Sequence, residues 1–174
     1  ARDLGMESLA ITDHGGLYGA IEFYTECKDA GIRPIIGVEA YLAQESRLSK
    51  TPADKSPFHL PLLARDAEGF RNLLHLTSRA HLEGFYYKPR VDRELLEAHS
   101  GGLIALSGCP NGEVPRLLLE GRLDEARATA LWYRETFGDF FLELQRHENI
   151  PELPRLNEAL VELSKETGLP LAVT

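Results

Sequence analysis

Six short apolar runs alternate with segments of helical periodicity along this chain. The runs occupy residues 8–14, 33–43, 58–65, 102–108, 140–146 and 170–174. They are nearly continuous rather than alternating in polarity, which predicts strands that are buried on both faces of a parallel sheet. Apolar side chains at helical spacing predict helices over residues 17–30, 66–83, 92–99, 113–121, 123–137 and 151–167. The alternation of strand and helix predicts an α/β fold with right-handed crossovers.

The number of strands and the two ends of the sequence favour an incomplete barrel. Six strands in 174 residues suit an incomplete barrel better than a finished doubly wound sheet. The sequence starts within a predicted helix and stops at the end of a predicted strand, so we expect a piece of a larger protein. No linker divides the sequence, and we predict that residues 1–174 belong to one domain without a second one.

Two segments and one proline depart from this pattern. Residues 44–57 are polar and contain proline, which predicts a mobile surface loop, and residues 84–91 form a second irregular stretch. Pro61 lies inside the third apolar run, and proline cannot donate a hydrogen bond to a sheet. We therefore expect that strand to be an edge strand or to carry a bulge.

The composition excludes several classes of protein. Hydrophobic residues make up 43% of the chain and charged residues 26%, as in an ordinary soluble globular protein. No apolar run approaches the roughly 20 residues that cross a bilayer. The two cysteines do not suggest a disulfide framework, so a cytoplasmic location is expected. The net charge of −8 argues against broad electrostatic binding of nucleic acid but leaves room for a local basic groove.

Four potential metal ligands lie in or beside the apolar runs. They are His14, Glu39, His59 and Cys109. A parallel barrel brings the ends of its strands together on one face, so ligands that are distant in sequence can converge there. Imidazole, carboxylate and thiolate donors together suit zinc, manganese or iron. The pattern therefore predicts a metal-dependent hydrolytic site, with the anomaly that His59 begins its run instead of ending it.

Each of these four residues also has an ordinary structural interpretation. The sequence around His14 fits a polar turn that caps the helix over residues 17–30. Glu39 fits a strand residue that points to solvent, although a buried carboxylate must be paired or bound to metal. A lone cysteine such as Cys109 is more often a small buried side chain, and His59 fits an ordinary core or surface histidine.

Two further residues are candidates for metal or substrate contacts. Asp13 directly precedes His14, where a carboxylate can orient an imidazole or bind a metal ion itself. His147 follows the fifth apolar run and is a candidate for contact with metal or substrate. The histidines at 75, 81 and 99 lie on predicted helices without such a context, and we interpret them as ordinary histidines.

Basic residues follow a group of three aromatic residues. Lys88 and Arg90 follow the aromatic residues 85–87. Aromatic side chains beside cations can stack a base and hold phosphates, so Lys88 and Arg90 are candidates for contact with DNA phosphate. The alternative is a solvated loop.

In combination these motifs resemble a known family. The relevant segments are TDHG at 12–15, PIIGVEAY at 34–41, FHL at 58–60, GFYYKPRVDRELL at 84–96 and GLIALSGC at 102–109. Together they resemble the PHP (polymerase and histidinol phosphatase) domain, and more narrowly that of the bacterial DNA polymerase III alpha subunit. The resemblance covers essentially the whole chain.

The resemblance implies a fold and a set of metal ligands. The implied fold is a distorted (β/α)7 barrel with mostly parallel strands, of which this chain would be an incomplete part. Up to three divalent ions, zinc or manganese, are implied at the strand ends. His14, Glu39, His59 and Cys109 match the family's ligand positions. Its other ligands, an upstream His-x-His and a downstream Asp-x-His, do not occur in this sequence.

The resemblance also implies a function and partners. It implies part of a DNA-directed DNA polymerase, a nucleotidyltransferase, whose barrel supports metal-dependent 3′→5′ exonuclease activity. The polymerase carboxylates would lie outside this sequence. Implied partners are the DNA primer-template, the rest of the alpha subunit, the sliding clamp and the proofreading exonuclease subunit. The alternatives are a non-catalytic structural barrel and a free-standing phosphoesterase such as histidinol phosphatase.

Overall fold

The computed structural model describes residues 1–174. Its strands are β1 (Ser8–His14), β2 (Arg33–Leu42), β3 (Phe58–Ala64), β4 (Arg90–Val91), β5 (Leu103–Leu106), β6 (Asp139–Leu144) and β7 (Leu171–Val173). Its α-helices are α1 (Ala20–Asp29), α2 (Ala67–Leu82), α3 (Arg93–Ala98), α4 (Glu113–Leu119), α5 (Leu123–Phe137) and α6 (Leu153–Thr167). Short 3₁₀ helices cover Arg2–Leu4 and Pro52–Lys55. None of the helices is long and apolar enough to span a membrane.

The sequence pattern predicted most of these elements. All six predicted strands and all six predicted helices are present, with ends that differ by a few residues. Asp66 caps α2 through its side chain, which accepts hydrogen bonds from the backbone N–H groups of Glu68 and Gly69. The short strand β4 and the 3₁₀ helix Pro52–Lys55 were not predicted, because both lie in segments without periodicity.

The contacts divide the chain into two compact units. The first consists of Ala1–Pro57 and Pro61–Leu103, and the second of Phe58–Leu60 and Ile104–Thr174. β3 contributes residues to both units. The prediction that residues 1–174 belong to a single domain stays a prediction.

In the first unit the strand order is β1-β2-β3, and β4 also pairs with β2. β1 and β2 are parallel, in a register that runs from Ser8 opposite Arg33 to His14 opposite Glu39. In the second unit the order is β3-β5-β6-β7, and β6 is parallel to both β5 and β7. Four parallel pairings agree with the predicted mostly parallel sheet.

Backbone hydrogen bonds hold both ends of β3. The N–H of Arg65, just after β3, donates to the carbonyl of Gly102, just before β5, at 2.9 Å. The N–H of His59, near the start of β3, donates to the carbonyl of Asn111, beyond the end of β5, at 3.0 Å. The first residues of β3 therefore lie beside the turn that follows β5, although His59 begins its run instead of ending it.

Of the two alternatives for Pro61, the edge strand was wrong, and the bulge stays a prediction. β3 has a neighbouring strand on each side, namely β2 and β5. A proline is accommodated in this strand although it lacks the N–H group that a sheet normally uses.

The packing of each unit follows from its apolar helix faces. In the first unit Leu73, Leu76 and Ala80 of α2 are buried, as the helical spacing predicts. α2 approaches the turn before β5 so closely that a β-carbon on Gly69 would lie within 1.9 Å of the Gly102 carbonyl oxygen. In the second unit the rings of Tyr133 (α5) and Phe140 (β6) stack with centroids 5.0 Å apart.

We predict that Gly69→Ala destabilises the first unit. The added methyl group would meet a backbone oxygen that has no freedom to rotate away, and such overpacking costs about 1–3 kcal/mol. Faster hydrogen exchange of the α2 amides would report the loss. Ser78→Ala, at an exposed position of the same helix, is the matched control and should change stability by less than about 0.5 kcal/mol. Equal protection of the α2 amides in Gly69→Ala and the parent would contradict the prediction.

We also predict that His99 weakens the fold in acid. Burial, and then the neighbouring charges of His75 and Arg79, lower the pKa of His99 below its ordinary value of 6.5. The unfolded chain therefore binds this proton more readily than the folded chain, and stability is lost as the pH falls below about 6.5 towards the folded pKa. In urea unfolding between pH 8 and pH 5, His99→Gln should lose less stability than the parent. Superimposable pH profiles would contradict this.

Candidate metal centre

His14 and Glu39 form a pair in the first unit. They are opposite each other in the parallel register of β1 and β2, and directly paired residues of adjacent strands point to the same face of a sheet. The Nε2 atom of His14 lies 3.5 Å from Oε1 of Glu39, and the two side chains are 60% and 18% exposed. A half-exposed imidazole beside a largely buried carboxylate is accessible to a ligand from solvent.

The turn after β1 keeps the space around His14 open. Gly15 has a φ of 70°, and its N–H donates to the Glu39 carbonyl at 2.9 Å. A β-carbon at this position would lie 2.8 Å from Cγ of Pro89 and 3.1 Å from the ring of Tyr41. Glycine is therefore required both by the left-handed backbone and by the close approach of these side chains.

Asp13 makes a different contact from His14. Successive side chains of a strand point to opposite faces, and Oδ2 of Asp13 accepts a hydrogen bond from the N–H of Gly19 at 2.7 Å, just before α1 begins. This is the polar turn that leads into the helix, which was the structural alternative for this segment. A direct contact of Asp13 with metal stays a prediction without a supporting contact.

His59 and Cys109 form a pair in the second unit. The Sγ atom of Cys109 lies 3.4 Å from Nδ1 of His59. A tight turn after β5 produces this contact, because the N–H of Gly112 donates to the Cys109 carbonyl at 2.7 Å. The turn also brings the adjacent Asn111 into its backbone hydrogen bond with His59. Both side chains of the pair are half-buried.

Each of the two separations by itself fits the spacing of two ligands on a metal ion. Two ligand atoms bound at about 2.0–2.3 Å to a tetrahedral ion lie about 3.3–3.7 Å apart. The 3.5 Å of the His14–Glu39 pair and the 3.4 Å of the His59–Cys109 pair fall in that range. His14 and His59 each have a ring nitrogen that can bind a metal ion, and Glu39 has a carboxylate oxygen that can do so.

The sequence reasoning missed Glu143, which is 95% buried, with 5% of its surface exposed. Its Oε1 accepts hydrogen bonds from Nε2 of Gln145 and Oγ1 of Thr174, both at 2.7 Å. Its backbone N–H donates to Oγ of Ser107 at 2.8 Å, which ties β6 to the end of β5 two residues before Cys109. A carboxylate within an apolar run was the same signal that identified Glu39, and it would have identified Glu143 as well.

His147 lies in the loop after β6, and its side chain is exposed. Its carbonyl accepts a hydrogen bond from the N–H of Ile150 at 3.3 Å. Its contact with metal or substrate stays a prediction.

The interpretation of Arg90 as a DNA contact was wrong. Its side chain is fully buried, with 0% exposed. The buried guanidinium pairs with Asp54 at 3.3 Å and donates to three backbone carbonyls. A phosphate outside the protein cannot reach it. Lys88 is exposed, so its proposed contact with DNA is compatible with its position.

Comparison with known proteins identifies the family. The sequence model of the PHP domain family matches residues 1–147 of this chain. The chain belongs to the PHP domain family. The predicted resemblance to DNA polymerase III subunit alpha is confirmed by two curated relatives of that name. The one from Borreliella burgdorferi is 51% identical over 174 residues, which are 98% of this chain and 15% of the relative. The one from Thermus aquaticus is 49% identical over 171 residues, which are 96% of this chain and 14% of the relative.

The PHP domain therefore spans only about 15% of the length of the first of these relatives. A solved structure agrees on the fold. It comes from Bifidobacterium adolescentis, is provisionally assigned as a metal-dependent phosphoesterase, and has a TM-score of 0.55 at 16% identity. The match covers 99% of this chain and 78% of that one. The predicted α/β fold of PHP type is thereby confirmed.

We predict that Cys109 binds metal as a thiolate. Cobalt(II), which takes the same N and S ligands as zinc, should produce a near-ultraviolet thiolate charge-transfer band when it is added to the protein. Cys109→Ser should abolish that band because a hydroxyl group cannot produce it. Cys27→Ala is the matched control, since Cys27 is the other cysteine of the chain and is buried on α1. A band that survives in Cys109→Ser but not in Cys27→Ala would contradict the assignment.

Proposed function

We propose that this chain is the metal-binding PHP domain of a replicative DNA polymerase III alpha subunit and supports metal-dependent 3′→5′ hydrolysis of DNA. The polymerase would be a DNA-directed nucleotidyltransferase that works on a primer-template in the cytoplasm. The proposal extends to the partners that such a subunit requires, which are the rest of the alpha subunit, the sliding clamp and the proofreading exonuclease subunit.

One observation carries the hydrolytic part of the proposal. His14, the last residue of β1, is paired with Glu39, which lies three residues before the end of the parallel strand β2, and their ligand atoms are 3.5 Å apart. The His59–Cys109 pair supports it with a second separation of the same size. Since both separations suit a divalent ion and neither pair is enclosed, these four residues are proposed as ligands for zinc or manganese.

The four residues would act by binding metal and not as general acids. A divalent ion at either pair would supply a nucleophile at neutral pH, because it lowers the pKa of a water molecule, and would offset the negative charge of the reacting phosphate. Glu39 contributes a carboxylate that balances the positive charge of the site. The hydrogen bond between Glu143 and Ser107 fixes the end of β5 and thereby the position of Cys109.

We predict that loss of one ligand abolishes hydrolysis. In the full-length protein, His59→Ala should lower metal-dependent degradation of a primer by at least about 100-fold and reduce the bound metal measured by elemental analysis. Polymerisation should persist, because its catalytic groups are expected elsewhere. His81→Ala, on the exposed surface of α2, is the matched control and should leave both readouts unchanged.

Two results would overturn this proposal in different ways. Primer degradation that is absent in the parent protein, combined with a melting temperature that chelation lowers, would identify a structural barrel stabilised by metal. Hydrolysis of histidinol phosphate in place of DNA would identify a phosphomonoesterase.

A further inference from the structure

The turn between α2 and β4 carries a strained tyrosine at its tip. The N–H of Tyr86 donates to the carbonyl of Lys88 at 3.1 Å. The N–H of Arg90 donates to the carbonyl of Gly84 at 3.3 Å. Between them Tyr87 has a φ of 60°, and it is the only residue other than glycine with a positive φ. The left-handed conformation costs an ordinary residue about 1–2 kcal/mol. Such strain persists only where the surroundings enforce it, and it is concentrated at functional sites.

The buried Arg90 enforces this conformation. Its Nε donates to the Gly84 carbonyl at 3.0 Å, which closes the base of the turn. Its Nη2 donates to the carbonyls of Arg47 and Ser49 at 2.9 and 2.7 Å. Since these contacts tie the turn to the segment over residues 44–57, the backbone that presents Tyr87 is held on both sides.

The turn displays aromatic rings next to lysine side chains. Tyr87 and Phe85 are 63% and 53% exposed. The Nζ atom of Lys55 lies 5.0 Å from the centroid of the Tyr87 ring, and that of Lys88 lies 5.2 Å from the centroid of the Tyr41 ring. Exposed rings that are accompanied by ammonium groups are the combination that binds single-stranded nucleic acid.

The same turn lies beside the first metal-ligand pair. The rings of Tyr41 and His14 have centroids 6.2 Å apart. The close approach of Pro89 and Tyr41 to Gly15 places the end of the turn against the residue that follows His14. A path of aromatic and cationic groups therefore leads from Tyr87, through Lys88 and Tyr41, to His14.

We propose that Tyr87, Lys55 and Lys88 form a subsite that binds single-stranded DNA, with an unpaired base stacked on Tyr87 and its phosphates held by the two lysines. The subsite rests on the proposed function, for which it delivers the end of a strand to the His14–Glu39 pair. The occupant is single-stranded because a base in a duplex has both faces covered by its neighbours. The lysines provide local positive charge in a chain whose net charge is −8.

The test uses crosslinking that does not depend on hydrolysis. The full-length protein is irradiated in the presence of a chelator with a single-stranded oligonucleotide that carries 5-iodouracil near its 3′ end, and the crosslinked residues are identified by mass spectrometry. Tyr87 should be crosslinked in the parent protein. In Tyr87→Asn the crosslink within residues 84–90 should disappear, and the KM for hydrolysis of the oligonucleotide should rise about 5- to 150-fold, as expected for the loss of one stacked base, with little change in kcat.

Three variants separate binding from folding. Asn tolerates the left-handed conformation better than Tyr, so Tyr87→Asn should melt at or above the parent temperature, and loss of binding cannot then be attributed to unfolding. Tyr87→Phe keeps the ring and should keep the KM. Tyr24→Asn replaces another exposed tyrosine, 50% exposed on α1, and should leave both crosslinking and KM unchanged.

The outcomes distinguish the subsite from the hydrolytic function. Unchanged crosslinking and KM in Tyr87→Asn, with hydrolysis still abolished by His59→Ala, would overturn the subsite and leave the hydrolytic proposal standing. Crosslinking at Tyr87 in a protein that hydrolyses no DNA in any variant would support the subsite and overturn the hydrolytic proposal.

Discussion

The register between β1 and β2 is the constraint on which the first ligand pair depends. Backbone hydrogen bonds fix His14 opposite Glu39, and the two side chains then share one face of the sheet because paired residues of parallel strands project together. A shift of one residue would turn one of the two side chains to the other face. The buried side chains of Val38 and Ala40 on β2 oppose such a shift, because it would remove them from their present packing.

The second ligand pair depends on a backbone contact at the start of β3 and on a tight turn. The N–H of His59 donates to the carbonyl of Asn111, which holds the start of β3 beside the turn after β5. The turn over residues 107–112 then carries Cys109 to the imidazole of His59. A β-carbon on Gly112 would lie 2.1 Å from the Ser107 carbonyl oxygen, so this turn closes only with glycine there.

A buried ion pair holds the segment over residues 44–57 in place in the first unit. Arg90 and Asp54 are both almost completely buried, and an isolated buried charge would be very unfavourable. Their mutual pairing and the backbone carbonyls around Arg90 offset part of that penalty. Hydrogen bonds from Thr51 and Ser49, together with the charge of Arg90, lower the pKa of Asp54, which keeps it ionised. The segment over residues 44–57, predicted as a mobile loop, is thereby tied to the turn that displays Tyr87.

The sequence by itself determined the fold class, the order of strands and helices and the identity of the candidate ligands. Local hydrophobic periodicity predicts the fold class and the order of the elements. Polar donor atoms within or beside apolar runs, as at Glu39 and Cys109, identify the candidate ligands. Only the tertiary structure decided that His59 meets Cys109, that Arg90 is buried and that Glu143 supports the end of β5. The partner of a side chain and the burial of a polar group depend on residues distant in sequence, and no local pattern encodes them.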